Sequence, residues 1–459
     1  MEGRGGQGVE PEEGKMTETL NSGDISTRLQ RIAKLARTCR GETLRSIHHA
    51  IDLDWLREAY RRTRKDGAVG VDSQTGADYA QNLEDNLQWL LERFKTGAYR
   101  ASPVRRTYIP KDGGKRRPIG IPTFEDKVLQ TAIRMLLETI YEQDFLDCSY
   151  GFRPGRSAHD ALEATWQGVM SMRGAWVVEV DIESFFDSID HGHLRGVLDQ
   201  RVNDGVVRRV LHKWLKAGVM EGGQLRRSDS GTPQGGVISP LLANVFLHEV
   251  LDLWFVREVQ PRLGGRAKLV RYADDFVVVC ELERDARRVL DVLPKRFGRY
   301  GLRLHPAKTR LVRFERPTGR GHRERAETFD FLGFTLHWGM SRRGFPVVKR
   351  KTAASRLRKA IRRIWLWCRR HRHVPLGMQQ VALSAKLRGH YSYFGVTGNG
   401  SALKRFHYEA QRAWRVWLDR RGGRKRMSWE RFHALLEHYS LPPPRVVHSI
   451  CDRSAKPRP

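Results

Sequence analysis

Leu269-Val-Arg-Tyr-Ala-Asp-Asp-Phe-Val-Val-Val-Cys280 is the stretch that decides the fold of this chain. Two apolar runs flank Tyr272-Ala-Asp-Asp275, which predicts a β-hairpin whose turn carries two adjacent carboxylates. Adjacent carboxylates repel each other unless cations neutralise them. Two divalent ions held about 3.5–4 Å apart by carboxylates can promote phosphoryl transfer. An ordinary Asp-containing hairpin turn has the same four residues, so on this stretch alone both interpretations stay open.

A third carboxylate, Asp181, ends the apolar run 175–180, which predicts a buried strand. A carboxylate at a strand end can lie beside the Asp pair of a neighbouring hairpin, which gives three acids for two metal ions. Asp181 could equally be a strand-terminating or helix-capping acid, and taken alone capping is the commoner role.

The segment Gly231-Thr-Pro-Gln-Gly-Gly236 predicts a shaped loop whose bare backbone can approach a ligand closely. Ser239 and Pro240 then predict a helix N-cap and the first helical residue. A loop that leads into a helix could support a nucleotide, with Gln234 as its polar reader. A glycine-rich loop by itself indicates no specific function.

A second hairpin is predicted over 107–122, with two short arms around an Asp-Gly-Gly turn. Arg makes bidentate phosphate contacts and Lys neutralises charge, so this turn could close over a triphosphate. The alternative is a solvated basic hairpin that touches a template backbone. No Gly-x4-Gly-Lys-Ser/Thr loop occurs, so the phosphate-binding element of an ATPase is missing. The cations beside the turn are Arg105, Lys111, Lys115, Arg116 and Arg117.

Charge is distributed unevenly along the 459 residues, whose net charge is +31. Residues 341–459 hold 29 basic and 5 acidic side chains. A near-balanced body followed by a basic segment predicts a catalytic body and an appendage that binds polyanions. In 356–370 apolar residues share one helical face, so the other face can meet phosphates. The cations predicted to bind RNA there are Arg358, Lys359, Arg362 and Arg363.

The mixture of antiparallel strands and helices predicts an α+β fold without βαβ repeats. The five cysteines form no CxxC pair, so neither a disulfide framework nor a structural zinc site is expected. No apolar run approaches a membrane span and the N-terminus is polar, so we expect an intracellular protein without a membrane partner. Longer helices are expected near 126–141, 192–217, 239–257 and 284–300.

Seven motifs occur in the order found in reverse transcriptases, and the set resembles the proteins encoded by bacterial group II introns. The resemblance extends over about 45–440 and implies a right-hand polymerase. Its domains would be a flexible leader (1–24), fingers and palm with an antiparallel palm sheet (25–340), an α-helical thumb/maturase domain (341–440) and a basic tail (441–459). The motifs are the Ile109-Pro-Lys111 hairpin, Gly151-Phe-Arg-Pro-Gly-Arg-Ser-Ala-His-Asp160, Asp181-Ile-Glu-Ser-Phe-Phe-Asp187, the loop 231–236, the turn 272–275, His305-Pro-Ala-Lys-Thr309 and Phe331-Leu-Gly-Phe334.

The resemblance also implies roles for individual residues. Asp181, Asp274 and Asp275 would be the catalytic acids that bind two Mg²⁺ ions, with Mn²⁺ as a substitute. Phe186 would exclude a ribose 2′-hydroxyl. The other nucleotide-binding residues would be Arg105, Lys111, Arg117 and Gln234. Arg153 and Arg156 resemble template contacts, although they could equally brace the fold. The segment 387–394 with Asn399 resembles the thumb and maturase domain.

A function follows from the resemblance: an RNA-directed DNA polymerase that binds group II intron RNA, assists its splicing and reverse transcribes it during intron mobility. Its partners would be intron RNA, an RNA template with a DNA primer, a DNA target and deoxynucleoside triphosphates, in the bacterial cytoplasm near the nucleoid. Many relatives carry a C-terminal nuclease with His-Asn-His and paired-cysteine signatures. We find none after 441–445, so second-strand cleavage is not expected.

Two alternatives remain. A splicing factor could keep the polymerase fold only as an RNA-binding scaffold, but three converging carboxylates repel RNA and serve no purpose there. A retroelement or defence reverse transcriptase unrelated to splicing is the other. The basic segment 341–459, with its interleaved aromatic residues, disfavours it because such a surface suits a large folded RNA.

Overall fold

The computed structural model describes residues 24–110, 116–172, 175–226, 231, 235–317, 327–421 and 427–448. These residues form an α+β fold, as the sequence predicts. Three hydrophobic clusters hold it together. Two of them include side chains from opposite faces of a central antiparallel sheet, and the third joins the C-terminal helices.

The N-terminal part, here called the fingers, begins with helices whose first turns are capped by side chains. Asp24, Asp52 and Thr75 each accept a hydrogen bond from a backbone N–H group two or three positions into the helix that follows. Such caps satisfy N–H groups that have no partner within the helix. The helices are Ile25–Thr38, the 3-10 turn His48–Ala50, Leu53–Arg62, Gly76–Ala80 and Leu83–Thr96.

The basic hairpin of the fingers forms as predicted. Strands β1 (Val104–Pro110) and β2 (Arg116–Ile121) pair antiparallel from Arg105 opposite Ile121 to Pro110 opposite Arg116. Strand β4 (Val219–Glu221) adds to β1 in parallel, and β5 (Gln224–Arg226) completes the sheet. The turn itself, with Lys111 and Lys115, lies outside the described residues.

The central sheet, here called the palm sheet, consists of β3 (Trp176–Val180), β6 (Ala267–Tyr272), β7 (Asp275–Cys280) and β8 (Arg310–Arg313). Its strand order is β6-β7-β3-β8, and every pair is antiparallel. Val178 and Val180 point into one hydrophobic cluster, whereas Val177 points into the other. Because both faces are covered, β3 is apolar except at Glu179 and β7 is apolar from Phe276 to Cys280, without regular alternation.

Helices cover the palm sheet on both sides. The expected helix over 192–217 is two helices, because the Asp204 carboxylate accepts the N–H groups of Val206 and Val207 and starts a new one. Ser239 is the first helical residue and not the N-cap, which is Ile238. The palm helices are Phe124–Tyr141, Ala158–Ser171, Phe185–Ser188, His191–Arg201, Gly205–Lys216, Ser239–Leu247 and Glu283–Gly298.

Helix Ser239–Leu247 continues through two π-helical segments, His248–Leu253 and Phe255–Val259, to a 3-10 turn at Gln260–Arg262. This run is the one described helix with the length and hydropathy of a membrane span, which the sequence did not suggest. Of its apolar window, 78% is buried inside the protein. Core helices of globular domains have this character as well.

The C-terminal part begins with a three-stranded sheet and ends in helices, here called the thumb. Strands Phe329–Phe331, Phe334–Met340 and Pro346–Thr352 form the sheet. Because Phe334–Met340 pairs with Pro346–Thr352, a boundary at 340 would cut a hairpin. Leu336 and Val348 pack with the palm, so the helical unit starts near Ala354 instead. The thumb helices are Ala354–Arg370, Leu376–Phe394, Gly400–Asp419 and Trp429–His438.

The aromatic residues of the thumb are mostly structural. Trp414 is fully buried, and the guanidinium groups of Arg369 and Arg420 lie over the ring of Trp417 at 5.7 and 4.9 Å. Leu357, Ile364 and Cys368 form the buried stripe of helix Ala354–Arg370. The predicted amphipathic helix is therefore confirmed, but its aromatic neighbours serve mainly the core.

Candidate active site

The strand register brings the predicted carboxylates together. Val180 of β3 pairs with Phe276 of β7. One further step along this register sets Asp181 opposite Asp275, and side chains in such positions have Cβ atoms about 4.5–5.5 Å apart. Asp274 precedes Asp275 in the two-residue turn between β6 and β7, whose flanking pair is Tyr272 and Asp275. The three acids therefore meet at one end of the palm sheet.

The turn that carries Asp274 is tightly constrained. Ala273 adopts a left-handed conformation with φ of 56°, which non-glycine residues adopt at a cost. A Cβ atom on Gly151 would lie 2.3 Å from the backbone nitrogen of Ala273. Glycine is therefore required at the start of the motif 151–160, because the backbone there packs directly against the turn.

The carboxylates perturb one another. Removal from bulk water, followed by the like charges of Asp274 and Asp181, raises the pKa of Asp275 to about 6. The Asp275 side chain is nevertheless exposed to solvent through the open cleft, although protein atoms surround it. Burial also raises the pKa of Asp274, with Asp181 adding to the effect and Arg117 opposing it. The site thus holds excess negative charge that a cation would relieve.

Lys308 already supplies one such cation, since its Nζ donates a hydrogen bond to Oδ2 of Asp181. The turn after Leu304 is placed by backbone bonds: His305 N–H donates to the Asp181 carbonyl at 2.8 Å. The motif 305–309 is recognisable in the sequence, but no role for Lys308 follows from it. Its position next to an acid 127 residues away could not be read from local sequence.

The turn 272–275 is anchored by Arg271, whose side chain has no exposed surface. Its guanidinium binds both carboxylate oxygens of Asp252 at 2.7 and 2.6 Å, Oγ of Ser149 at 2.8 Å, Oδ1 of Asn244 at 2.9 Å and the Ala273 carbonyl at 3.1 Å. Burial alone would raise the pKa of Asp252, but Arg271 outweighs this and lowers it. This buried network was missed in the sequence, where Arg271 looked like an ordinary strand residue.

The structure describes part of the predicted nucleotide-binding region of the site. A Cβ atom on Gly231 would lie 3.3 Å from the carbonyl oxygen of Phe186, and one on Gly235 would lie 2.6 Å from that of Gly120. Of the glycine-rich segment, Gly231 therefore lies against the backbone of the half-buried Phe186 and Gly235 against strand β2. Arg117, on β2, is exposed and close enough to lower the pKa of Asp274. Gln234 and Lys111 lie outside the described residues.

Two arginines predicted to bind ligands form hydrogen bonds within the fold. Arg105 donates from Nε and Nη2 to the carbonyl of Val69 at 2.9 and 2.7 Å. Arg153 is 7% exposed and is held by Glu142 and two backbone carbonyls. For Arg153 the bracing alternative is thus the better supported one. Arg156 is more accessible and pairs with the exposed carboxylate of Asp147 at 2.6 Å.

A cleft of about 480 Å³ opens beside the carboxylates and joins palm to thumb. Asp181, Asp275 and Lys308 line one wall, and Arg356 and Lys359 from the first thumb helix line another. Arg356 also opposes the raised pKa of Asp275. Lys359 was predicted to bind RNA along the helix surface, and its place in this cleft brings it near the site of chemistry. Arg358, Arg362 and Arg363 are exposed on the same helix and do not line the cleft.

The donor set fits divalent cations. Three carboxylates with mutually unfavourable charge supply the hard oxygen ligands that Mg²⁺ and Mn²⁺ prefer. Within the described ranges, no group of three His, Cys, Asp or Glu side chains stands in ready metal-binding geometry. Lys308 occupies one oxygen of Asp181, so binding of an ion there requires that this lysine move aside.

Comparison with known proteins agrees with this geometry. The reverse transcriptase (RNA-dependent DNA polymerase) family matches residues 109–336, which span the hairpin, the palm sheet and the three acids. The chain belongs to the reverse transcriptase family. Members of this family use divalent metal ions.

Among its relatives are group II intron-encoded proteins. The chain is 44% identical over 187 residues to the group II intron-encoded protein LtrA of Lactococcus lactis subsp. cremoris, covering 39% of this chain and 31% of that protein. It is 35% identical over 299 residues to protein YkfC of Escherichia coli (strain K12), covering 56% and 76%. It is 35% identical over 165 residues to the putative COX1/OXI3 intron 2 protein of Saccharomyces cerevisiae, covering 36% and 19%. The first of these matches spans less than a third of the relative's length.

Proposed function

We propose that this protein is an RNA-directed DNA polymerase that extends a primer with deoxynucleotides on an RNA template. The observation that carries the proposal is the register that sets Asp181 opposite Asp275, with Asp274 in the adjoining turn. A scaffold without chemistry has no need of carboxylates that repel one another and an RNA partner. The membership in the reverse transcriptase family supports the same conclusion.

We propose Mg²⁺ as the natural ion, held by Asp181, Asp274 and Asp275. Two such ions would lower the pKa of a primer hydroxyl and stabilise charge on the departing pyrophosphate. The residues of this chain would orient the reactants: Arg117 by its charge near the triphosphate, Phe186 by contact with the sugar. Arg356 and Lys359 are suited to the backbone of the primer–template duplex because they face the cleft from the thumb.

Extension of a DNA primer on an RNA template, with Mg²⁺ and deoxynucleotides, tests the proposal. Synthesis that depends on the RNA template and stops on addition of a chelator is the expected result. Tight RNA binding without extension, over a range of Mg²⁺ and Mn²⁺ concentrations, would contradict it and favour the splicing scaffold.

Replacing the side chain at Phe186 should change which sugar is accepted. Phe186 is half-buried, with its ring 5.4 Å from that of Phe185 and its backbone against Gly231. If it blocks a 2′-hydroxyl, Phe186→Val should raise incorporation of ribonucleotides relative to deoxynucleotides by at least about tenfold, since discrimination by shape is of this order. Single-nucleotide incorporation rates measure the ratio. Equal losses for both sugars would show that Phe186 has only a packing role.

Lys308 should compete with divalent ions for Asp181. Lys308→Met removes the cation bonded to Asp181, so the affinity for Mn²⁺ should rise by about tenfold. The free-energy change that corresponds to this ratio is smaller than the interaction energy of two unit charges in contact near a protein surface. Titration followed by electron paramagnetic resonance of free Mn²⁺ measures this without nucleotide turnover. The matched control is Arg310→Met, which removes a nearby cation paired with Glu179 at 2.8 Å and should leave the affinity almost unchanged. Weaker Mn²⁺ binding by the Lys308 variant would contradict the competition.

We further propose that the RNA partner is a group II intron, whose splicing the protein assists and which it copies during mobility, in the bacterial cytoplasm. Homology to group II intron-encoded protein LtrA and to yeast intron proteins supports this. So does the thumb helix Ala354–Arg370, where Arg358, Arg362 and Arg363 are exposed. Splicing of a group II intron transcript at low Mg²⁺, with and without the protein, tests it. No acceleration alongside normal primer extension would favour a reverse transcriptase unrelated to splicing.

A further inference from the structure

A second pocket lies on the palm, between helix Glu283–Gly298 and the C-terminal end of the continuous helix Ser239–Arg262, here called the long helix. Its volume is about 270 Å³, and it shares no lining residue with the catalytic cleft. The floor is apolar and includes Trp254, Leu263 and Val292. A space of this size suits one nucleotide and excludes a duplex. None of these residues has a role in the reaction described above.

The rim of this pocket, here called the basic rim, consists of Arg262, Arg288, Lys295 and Arg299. All four side chains are exposed. In the part of the chain that the structure describes, none of them forms an ion pair with a carboxylate. By contrast, Arg287 on the same helix pairs with Glu283 at 2.5 Å. One exposed acid, Glu258, also lines the pocket. Four exposed cations beside this one acid leave the rim with an excess of positive charge.

The spacing of three rim cations follows the helix. Arg288, Lys295 and Arg299 are separated by seven and four positions, which places them on one stripe of helix Glu283–Gly298 and its C-cap. At about 1.5 Å per residue the stripe extends for roughly 16 Å. A stripe of this length can contact more than one phosphate of a single strand, and cations along one line suit a polyanion better than a small anion.

Arg296 is half-buried at the floor, beside Trp254, which is 9% exposed, and its guanidinium is held in one position. It donates from Nε to the Val250 carbonyl at 2.9 Å and from Nη2 to the Glu249 carbonyl at 3.1 Å. Its guanidinium lies over the rings of Trp254 and Tyr300, at 5.6 and 4.9 Å from their centroids. Unpaired RNA bases are recognised by stacking on such arginine and aromatic planes. An acidic peptide would use the rim but gain little from this floor.

We propose that this pocket binds one unpaired nucleotide of a folded RNA, with its base against the floor at Trp254 and Arg296. The flanking phosphates lie along the basic rim. The inference rests on the proposed function in one respect only, namely that RNA is the partner. It adds a contact on the palm that is separate from the cleft where the template is copied.

The experiment uses the full chain with its catalytic cleft filled by an unlabelled RNA template–DNA primer. A short fluorescein-labelled oligouridine is then titrated, and its affinity is measured at several salt concentrations. Lys295→Glu/Arg299→Glu should weaken binding by at least about tenfold, and the slope of log K against log salt should fall by about 1.4 for two lost phosphate contacts. The matched control, Arg284→Glu/Arg287→Glu, changes the charge of the same helix equally but outside the pocket lining, and should change affinity less than twofold.

A second measurement locates the base. Oligouridine that carries 4-thiouridine should crosslink to the segment 254–263 in the wild-type protein and lose that crosslink in the rim variant. Equal weakening by the rim and control variants, equal competition by oligo-aspartate, or equal binding of a blunt RNA duplex would each overturn the proposal. Primer extension on a short template should be unchanged in both variants. Its absence in the wild-type protein would instead overturn the proposed polymerase function and leave the pocket result intact.

Discussion

Asp275→Asn should abolish DNA synthesis while leaving the protein folded. The change keeps the size of the side chain but removes one of three charges that would hold the catalytic ions. Loss of a principal charge interaction with the transition state costs on the order of 10³-fold in rate. Primer extension measured beside Asp291→Asn provides the comparison, because Asp291 is an exposed carboxylate outside the catalytic cleft. Asp291→Asn should keep wild-type activity.

The same variant should be at least as stable as the wild-type protein when divalent ions are chelated. The pKa of Asp275 is raised from 3.8 to about 6, first by removal from bulk water and then by Asp274 and Asp181. A raised carboxylate pKa means that the folded state binds the proton more tightly than the unfolded state does. The charged form therefore destabilises the fold fully above about pH 6, and this effect disappears as pH falls towards 4. Thermal unfolding of both proteins between pH 4 and pH 8 measures it.

A retained activity in Asp275→Asn would contradict the assignment of the catalytic acids. A lower melting temperature at pH 7.5 with chelator would contradict the electrostatic account of the site, since it would mean that the charge stabilises the fold. The two outcomes are independent of each other. An inactive but destabilised variant would keep the catalytic assignment and require another source of stabilisation at the turn.

Arg271→Met should be the most destabilising of the substitutions considered. The Asp252 carboxylate, which has no exposed surface, would lose its cation. The hydrogen bonds from Arg271 to Ser149, Asn244 and Ala273 would be lost as well. Breaking a buried ion pair from one side costs about 3–5 kcal/mol. This is a large share of the roughly 5–15 kcal/mol that stabilises a typical domain. Denaturant unfolding measures the free energy, and poor expression of folded protein is the expected companion.

The double variant Arg271→Met/Asp252→Leu tests the cause. If an unpaired buried charge is responsible, replacing both partners should recover much of the lost stability. Arg287→Met, which breaks the exposed pair with Glu283, should have only a small effect. A loss in Arg271→Met no larger than in Arg287→Met would show that the buried network contributes little. A double variant as unstable as the single one would assign the loss to shape and not to charge.

The three acids proposed to be catalytic could be predicted to meet because their sequence signal is local. An Asp that ends an apolar run and an Asp pair between two apolar runs both predict positions at strand ends, and antiparallel pairing then brings strand ends together. The basic hairpin, the central helices and the amphipathic thumb helix were predicted for the same reason. Each depends on periodicity and turn chemistry within about 20 residues.

What the sequence could not reveal depends on partners far along the chain. Lys308 contacts Asp181 across 127 positions, and Arg271 bonds Ser149 across 122. Arginines near phosphate-binding motifs are naturally interpreted as ligands, yet Arg105 and Arg153 satisfy backbone carbonyls. The predicted boundary at 340 falls inside the hairpin 334–352, which lies beside a charge-rich segment although its apolar residues pack with the palm.

The contact of Gly151 with Ala273, together with the Arg271 network, ties the catalytic turn to the long helix and to the segment before helix Ala158–Ser171. Three distant parts of the chain must therefore be in place before the turn can exist. Local fraying of the turn would expose a buried ion pair, so its opening requires the cooperative loss of the whole palm. Heat should therefore not produce a folded but inactive population: the proposed activity and the folded palm should be lost in one transition.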